Sequence, residues 1–239
     1  MDRSLLGKKG LEAKLACNPH RLFPSVSSPS TRASDDCVVV SIGSENKWEF
    51  ERHVFHTTSC RIEVFDCTGA ALNWSVPAEL RSRTTLHFKC MGAPQWRYKT
   101  LPQGGAAHLL PVSGTRYESF GWAGLLSSVG LASGSAPTFL KMDCEGCENL
   151  FLRELLQTGQ HRLLPDQIAV EMHYPYMRRV ASNWNRRFAD LDRPPNWPFR
   201  RLAREMWNVA GFSIIGNASN DDQQCCQEVL FARTKCVAA

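Results

Sequence analysis

The sequence predicts an α/β protein whose parallel strands end in polar, chemistry-bearing residues, and three stretches carry that expectation. Phe139-Leu140-Lys141-Met142 reads as a buried strand, and Asp143 to Glu148 then packs three carboxylates and a glycine into six residues before a helical segment at Asn149 to Thr158. Cys37-Val38-Val39-Val40-Ser41-Ile42-Gly43 is a β-branched run that closes on glycine and leads into a helix through Trp48-Glu49-Phe50-Glu51, the mark of a strand buried on both faces. Gln167 to Tyr174 is a further strand that ends in polar groups, Glu171 and His173. Apolar strand, polar tip and helix describe the carboxyl end of a parallel strand, where open α/β sheets place their ligands. Unpartnered acids are costly to bury, which favours a working site at Asp143 to Glu148. The competing account is a solvated turn whose acids cap a helix dipole.

The bulk composition narrows the class. A chain of 239 residues with 43% hydrophobic content can bury a sizeable core, as one large α/β domain or two small ones. A net charge of +5 is mildly basic and does not by itself call for nucleic acid. No apolar run reaches the roughly 18 residues of a membrane span. The first twenty residues carry Arg3, Lys8, Lys9 and Lys14 without an apolar core, so they do not read as a secretory signal. Organellar targeting is the alternative, against which Asp2 and Glu12 count. Ten cysteines in a chain of this length do not argue for a disulfide framework, and the expectation is a reducing, cytoplasmic interior with free thiols.

Taken in order, residues 1–36 divide into a short helix over Leu5 to Ala16 and a Pro/Ser linker over Pro19 to Ser34, a poorly ordered lead-in to a domain spanning 37–239. In the first strand and its turn, Gly43 is expected to admit a ligand to the backbone. The single glycine excludes the three-glycine pyrophosphate fingerprint. Arg61 to Asp66 is the second strand, and Asp66 lies 66 − 43 = 23 positions after Gly43, near the offset of about 20 at which an acid takes ribose hydroxyls. Its competing role is a turn aspartate before Thr68-Gly69. Thr85 to Gly92 is a third strand closing on glycine, Ala93 to Gly114 a surface excursion or short hairpin, and Tyr117 to Leu131 a helix. His173 titrates near neutrality and suits a general base or a metal ligand. Residues 175–201 form an insertion that interleaves seven arginines with aromatic rings, suited to an anionic or sugar-like acceptor or to a solvated cap. A helix at Leu202 to Val209 and a closing strand pair, Gly211 to Ile215 and Glu228 to Ala232, complete the chain. Cys144-x-x-Cys147 invites a zinc or redox reading, but no second ligand pair stands at a compatible spacing.

A glycine, an acid, an acid cluster and a Glu-x-His at successive strand tips resemble the S-adenosylmethionine-dependent methyltransferases of the FkbM type, nearest to their methyltransferase-like 24 branch. The resemblance covers Cys37 to Ala232. Its motifs are Ser41-Ile42-Gly43 with Phe50-Glu51, Val64-Phe65-Asp66, Leu140-Lys141-Met142-Asp143-x-Glu145-Gly146-x-Glu148, and Val170-Glu171-Met172-His173. It implies a Rossmann-like class I methyltransferase fold, a seven-stranded and mostly parallel sheet with an antiparallel last strand and helices on both faces. It implies S-adenosylmethionine as cofactor, held by Ser41, Gly43, Glu45, Asp66 and Gly92. Asp143 and His173 are the implied catalytic pair, one of them the base that deprotonates a hydroxyl of a glycan or small metabolite. A lesser implication is a divalent cation on Asp143, Glu145, Glu171 and His173. Many FkbM-type members have an acid where this chain has Ser41, and an apolar residue where it has Cys144 and Cys147. The competing expectations are an NAD(P)-dependent oxidoreductase, disfavoured by the missing glycines, and an inactive methyltransferase fold that serves as a scaffold.

Overall fold

A computed structural model of the chain describes residues 3–7, 13–26, 37–67, 73–91, 98–99, 108–109, 119–144, 147–173, 199–219 and 226–233. Its elements are the strands β1 (Arg3–Leu6), β2 (Lys14–Cys17) and β3 (Val38–Ile42), then helix α1 (Glu49–Thr57). Strands β4 (Arg61–Phe65) and β5 (Thr84–His87), helix α2 (Trp122–Ser128), strand β6 (Phe139–Met142) and helix α3 (Cys147–Thr158) come next. Strand β7 (Gln167–His173), helix α4 (Phe199–Ala210), and strands β8 (Phe212–Ser219) and β9 (Cys226–Arg233) close the described chain.

Seven strands form one sheet in the order β8-β9-β7-β6-β3-β4-β5. The contacts β6–β7, β6–β3, β3–β4 and β4–β5 are parallel, while β9 runs antiparallel to both β7 and β8. This is the expected sheet, with β9 as its antiparallel member.

Alternation along the strands divides the core into two layers, because successive side chains of a strand point to opposite faces. Val38, Val40, Ile42, Leu140, Met142 and Val170 pack with Trp122, Leu125, Phe151, Leu152, Leu202 and Met206 from α2, α3 and α4. Val39, Phe139, Ile62, Val64, Ala169 and Leu230 face the other way, onto Phe50 and Val54 of α1 and onto Leu6, Ala16, Cys17 and Phe23. No described helix is long and apolar enough to cross a membrane.

Two expectations are corrected. The helix over Leu5 to Ala16 is instead an antiparallel hairpin, β1–β2, with Arg3 opposite Cys17 and Leu6 opposite Lys14. Glu12-Ala13-Lys14-Leu15-Ala16 has strong helix propensity, but Leu6, Ala16 and Cys17 cover a sheet face that α1 leaves open, and burial outweighs local propensity. Residues 27–34 of the expected linker lie outside the described residues. The free thiols are also corrected: Cys37–Cys60, Cys67–Cys90 and Cys144–Cys147 form disulfides with Cα–Cα separations of 4.7, 4.8 and 5.4 Å, within the normal range. The first two tie β3 to β4 and the segment after β4 to the segment after β5.

The remaining differences are local. The third strand stops at His87, and Cys90–Met91 pairs instead with Ser119–Phe120. The helix expected from Tyr117 is confined to Trp122–Ser128. Within the Ala93 to Gly114 excursion, Tyr98–Lys99 pairs antiparallel with His108–Leu109. The Arg/aromatic insertion lies outside the described residues up to 198.

Candidate active site

The chain reverses its direction of growth across the sheet between β3 and β6, and the crevice at such a switch point is where open α/β sheets bind ligands. Gly43 follows β3 directly with φ +75°. A Cβ built there would lie 1.6 Å from the Asp143 carbonyl oxygen. The missing side chain therefore makes room for the backbone at the end of β6, not for a ligand as the sequence argument had it. Hydrogen bonds pin the junction from both sides, Asp143 N–H to Ile42 O and Gly43 N–H to Phe65 O, each at 2.9 Å.

The loop after Gly43 is held from the neighbouring tip. Asp66, just past β4, accepts the amides of Ser44 and Glu45 on Oδ2, each at 2.9 Å. Glu45 and Asn46 are both left-handed, with φ 47° and 57°, a conformation non-glycine residues adopt only when their surroundings impose it. The half-exposed Glu45 side chain meets Lys47 Nζ at 2.5 Å. Ser41 lies beneath the loop: fully buried, it donates to Glu51 Oε1 of α1 at 2.5 Å. The same buried layer holds Lys141, whose ammonium donates to the Gly43 carbonyl. Burial raises the Glu51 carboxyl, with Lys141 and the Ser41 hydroxyl opposing.

The acids of three adjacent strands converge next to this loop. Glu171 of β7 stands directly opposite Glu228 of β9, a like-charge cross-strand pair that would be destabilising alone. Lys14 of β2 resolves it. Its fully buried ammonium binds Glu228 Oε1, Glu171 Oε2 at 3.2 Å and Asp143 Oδ2 at 3.1 Å. β2 reaches this point by running along β7 in the opposite sense, and the Gln167 amide clamps the Cys17 backbone at the far end with two 2.8 Å hydrogen bonds. Burial lowers the Lys14 pKa, but Asp143, Glu228 and Glu171 outweigh it and hold the group protonated. The two carboxyls facing each other part company. Burial would raise Asp143, yet Lys14, Lys141 and His173 hold it well below the usual carboxylate range. Burial and the Asp143 charge push Glu171 up to about 8.

His173, at the end of β7, completes the group. Its Nδ1 lies 3.0 Å from Glu148 Oε1, and that oxygen also accepts the Cys144 amide at 2.8 Å. Its Nε2 faces Glu171 Oε1 at 3.9 Å and Asp143 Oδ1 at 4.0 Å. Glu148 is buried in the first turn of α3, next to Cys147, which is bridged to Cys144. A histidine whose Nδ1 meets a buried carboxylate is fixed in tautomer and orientation, leaving Nε2 to exchange a proton.

The structure thus joins Asp143, Glu171 and His173, sets Gly43 against the Asp143 backbone, and places Asp66 at the adjacent tip. Gly92 and Glu145 lie outside the described residues. Glu148 as partner of His173, Lys14 and Glu228 were not singled out from sequence. Glu148 was visible within its motif; Lys14 and Glu228 gave no local signal. Ligand atoms of Asp143, Glu148 and His173 lie within 4.8 Å of one another, compact enough for a divalent ion, but Lys14 already supplies a cation to Asp143.

Among solved structures, the chain is similar to the small RNA methyltransferase HEN1, with 10% identity and a TM-score of 0.42 over 83% of this chain and 23% of that one. It is also similar to an O-methyltransferase family protein from Burkholderia thailandensis, with 10% identity and a TM-score of 0.41 over 82% of this chain and 51% of that one. A third is the fibrillarin pre-rRNA processing protein of Methanococcus jannaschii, with 10% identity and a TM-score of 0.44 over 97% and 83%. The chain spans about a quarter and a half of the length of the first two. No curated protein matches the sequence. The family model Methyltransf_22, described as a methyltransferase domain, matches residues 2–208; the chain belongs to this methyltransferase family.

Proposed function

We propose that the protein transfers a methyl group from S-adenosylmethionine to a hydroxyl oxygen of a glycan or small metabolite, and that within the methyltransferases it is of the FkbM type, nearest to the methyltransferase-like 24 branch. One observation carries this reading: a His173–Glu148 pair stands beside two strand-tip acids at the switch point of the sheet, next to the Gly43 turn. The loop from Gly43 to Glu45 and the Asp66 carboxylate suit a nucleoside, since an acid at this tip can accept from vicinal hydroxyls while its other oxygen holds the loop. Gly92 is kept as a further cofactor contact on the resemblance alone, and Ser41 would act from beneath the loop through Glu51.

The bound cofactor supplies an electrophilic methyl carbon on a sulfonium. The residues of the chain do the rest. His173 accepts the acceptor hydroxyl proton at Nε2 while Glu148 Oε1 holds Nδ1, and the ionised Asp143 carboxylate facing Nε2 stabilises the imidazolium that forms. Asp143 is the weaker base of the pair named from sequence, because Lys14 and Lys141 hold its carboxyl far below neutrality. Much of the acceleration comes from holding the acceptor oxygen in line with the methyl carbon.

Calorimetric titration with S-adenosylhomocysteine, on wild type and on Asp66→Ala, tests the cofactor reading. Saturable binding that weakens at least tenfold in Asp66→Ala supports it and justifies a screen of hydroxylated acceptors. A folded wild type that binds nothing favours the scaffold role instead.

A further inference from the structure

We propose that Lys14 is a positioning residue of the catalytic centre, a resident cation that holds Asp143 and Glu171 against Nε2 of His173. The inference rests on the methyltransferase reading for its kinetic consequence, but its geometry stands apart from that reading. Three carboxylates from β6, β7 and β9 meet one ammonium that is fully buried and comes from a hairpin 129, 157 and 214 positions away in sequence. Asp143 and Glu171 each use one oxygen on Lys14 and turn the other to His173: Oδ2 and Oε2 to the ammonium, Oδ1 and Oε1 to the imidazole. The lysine thus sets which carboxylate oxygens the imidazole sees. It stands behind the acids and reaches His173 through them.

The groups facing His173 are Glu148 from α3, Asp143 from the β6 tip and Glu171 from β7, with Glu228 of β9 and Lys14 of β2 behind them and Lys141 of β6 acting on Asp143. Negative neighbours favour the imidazolium, and Lys14 opposes them. Glu171 already holds its proton below about pH 8. When the ammonium is removed, Asp143 faces the imidazole without its cation, which favours the imidazolium. Across a low-dielectric site the shift of the histidine is about one unit upward or more. A lysine that only fills space would leave the titration of His173 unmoved.

The test uses the full chain and the variants Lys14→Met, Lys14→Arg and Glu228→Gln. NMR titration of the His173 imidazole is read beside kcat and KM as functions of pH, with and without EDTA. Lys14→Met is expected to raise the His173 titration by about one unit, to move the acid limb of kcat with it, and to leave S-adenosylhomocysteine affinity within threefold. Lys14→Arg should restore the limb in part. Glu228→Gln, which removes a negative charge and leaves the ammonium in place, should move the histidine the other way, and it serves alone if Lys14→Met does not fold. Wild-type activity should survive EDTA. An unmoved histidine in Lys14→Met, or in Glu228→Gln should Lys14→Met not fold, overturns the proposal. So does wild-type activity that EDTA abolishes and Mn2+ restores. Absent S-adenosylhomocysteine binding together with a shifted histidine would remove the methyltransferase reading and leave the electrostatic role of Lys14 intact.

Discussion

Substituting Gly43 by alanine tests the switch-point geometry most directly. Two costs combine. The left-handed backbone at φ +75° costs an alanine about 1–2 kcal/mol. The added Cβ would lie 1.6 Å from the Asp143 carbonyl oxygen, against 3.4 Å at the near edge of ordinary contact, so about 3.4 − 1.6 = 1.8 Å must open. Both sides of that clash are backbone, which cannot rotate away. Separating the strands by this much breaks the hydrogen bond from Asp143 N–H to Ile42 O, worth about 1 kcal/mol net and more if a buried group is left unpaired. It also loosens Ile42 and Met142, both buried. The sum exceeds about 4 kcal/mol, in the range reserved for severe backbone or core defects. For a domain of this size that lowers Tm by roughly 10 °C or more. Gly130 is the internal control: its φ is +73°, but nothing lies within 4 Å of its would-be Cβ. Gly130→Ala should show the conformational cost alone, a Tm loss of roughly 2–8 °C. Thermal unfolding of both variants decides the matter. Equal losses would refute the close approach of β3 and β6.

Three further outcomes follow from the site and its supports. His173→Asn should cut kcat by about 10²–10⁴-fold with S-adenosylhomocysteine binding retained, and Glu148→Gln should give a smaller loss; calorimetry beside turnover separates the two effects. Removing the Cys37–Cys60 bridge, which closes a separation of 23 residues, should cost about 3 kcal/mol on the loop-entropy argument, read as a Tm drop of roughly 10 °C in Cys37→Ser/Cys60→Ser. The Glu171 carboxyl stands at about 8 in the fold against 4.5 unfolded, so the folded state keeps a proton that the unfolded chain releases. Its stabilising effect is complete below 4.5 and lost as pH rises to 8. Glu171→Gln, neutral throughout, should flatten the fall of Tm between about pH 5 and pH 8; an unchanged slope would show that another group sets it.

The sheet was legible because its signals are local. Val38 to Ile42, Ile62 to Phe65, Phe139 to Met142 and Ile168 to Met172 are apolar runs that end at polar tips, and a parallel sheet buries such runs on both faces. Asp143, Glu171 and His173 were legible for the same reason: strand tips meet on one edge of the sheet whatever the loops between them do. What failed depended on distance. The pattern Glu12 to Ala16 is helical by propensity, and the open sheet face at Val39, Phe139 and Leu230 is what favours a strand at Lys14–Cys17. Lys14 finds its partners 129 or more positions away, which no spacing rule reaches. The cysteine pairs bridge neighbouring strands, so the connectivity became visible only with the strand order. Gly43 was expected to be glycine so that a ligand could approach the backbone, whereas the neighbour that excludes a side chain there is the backbone of another strand.

Deleting residues 1–26 separates the two views of the N-terminus most sharply. As a loose lead-in, the segment could be removed with little effect on a domain that begins at Cys37. In the structure it does two jobs for that domain. Leu6, Ala16, Cys17 and Phe23 cover Val39, Phe139, Ala169 and Leu230, and each large apolar group returned to water costs about 1.5–3 kcal/mol. Lys14 binds three buried acids, and breaking such a group from one side costs about 3–5 kcal/mol because the acids left behind stay buried. Together these approach the whole stability of an ordinary domain. The electrostatic share has its own signature. Without the ammonium, Asp143 loses the charge that does most to keep it ionised and Glu171 loses the charge that opposes its protonation, so both fold more easily protonated, and the truncated chain is most stable in acid and loses stability as pH rises. Urea unfolding at pH 5 and pH 8 reads this out: the truncated chain should hold structure at pH 5 and be unfolded at pH 8, with the wild type folded at both. A truncated chain as stable as the wild type at pH 8 would show that the hairpin is not part of the core.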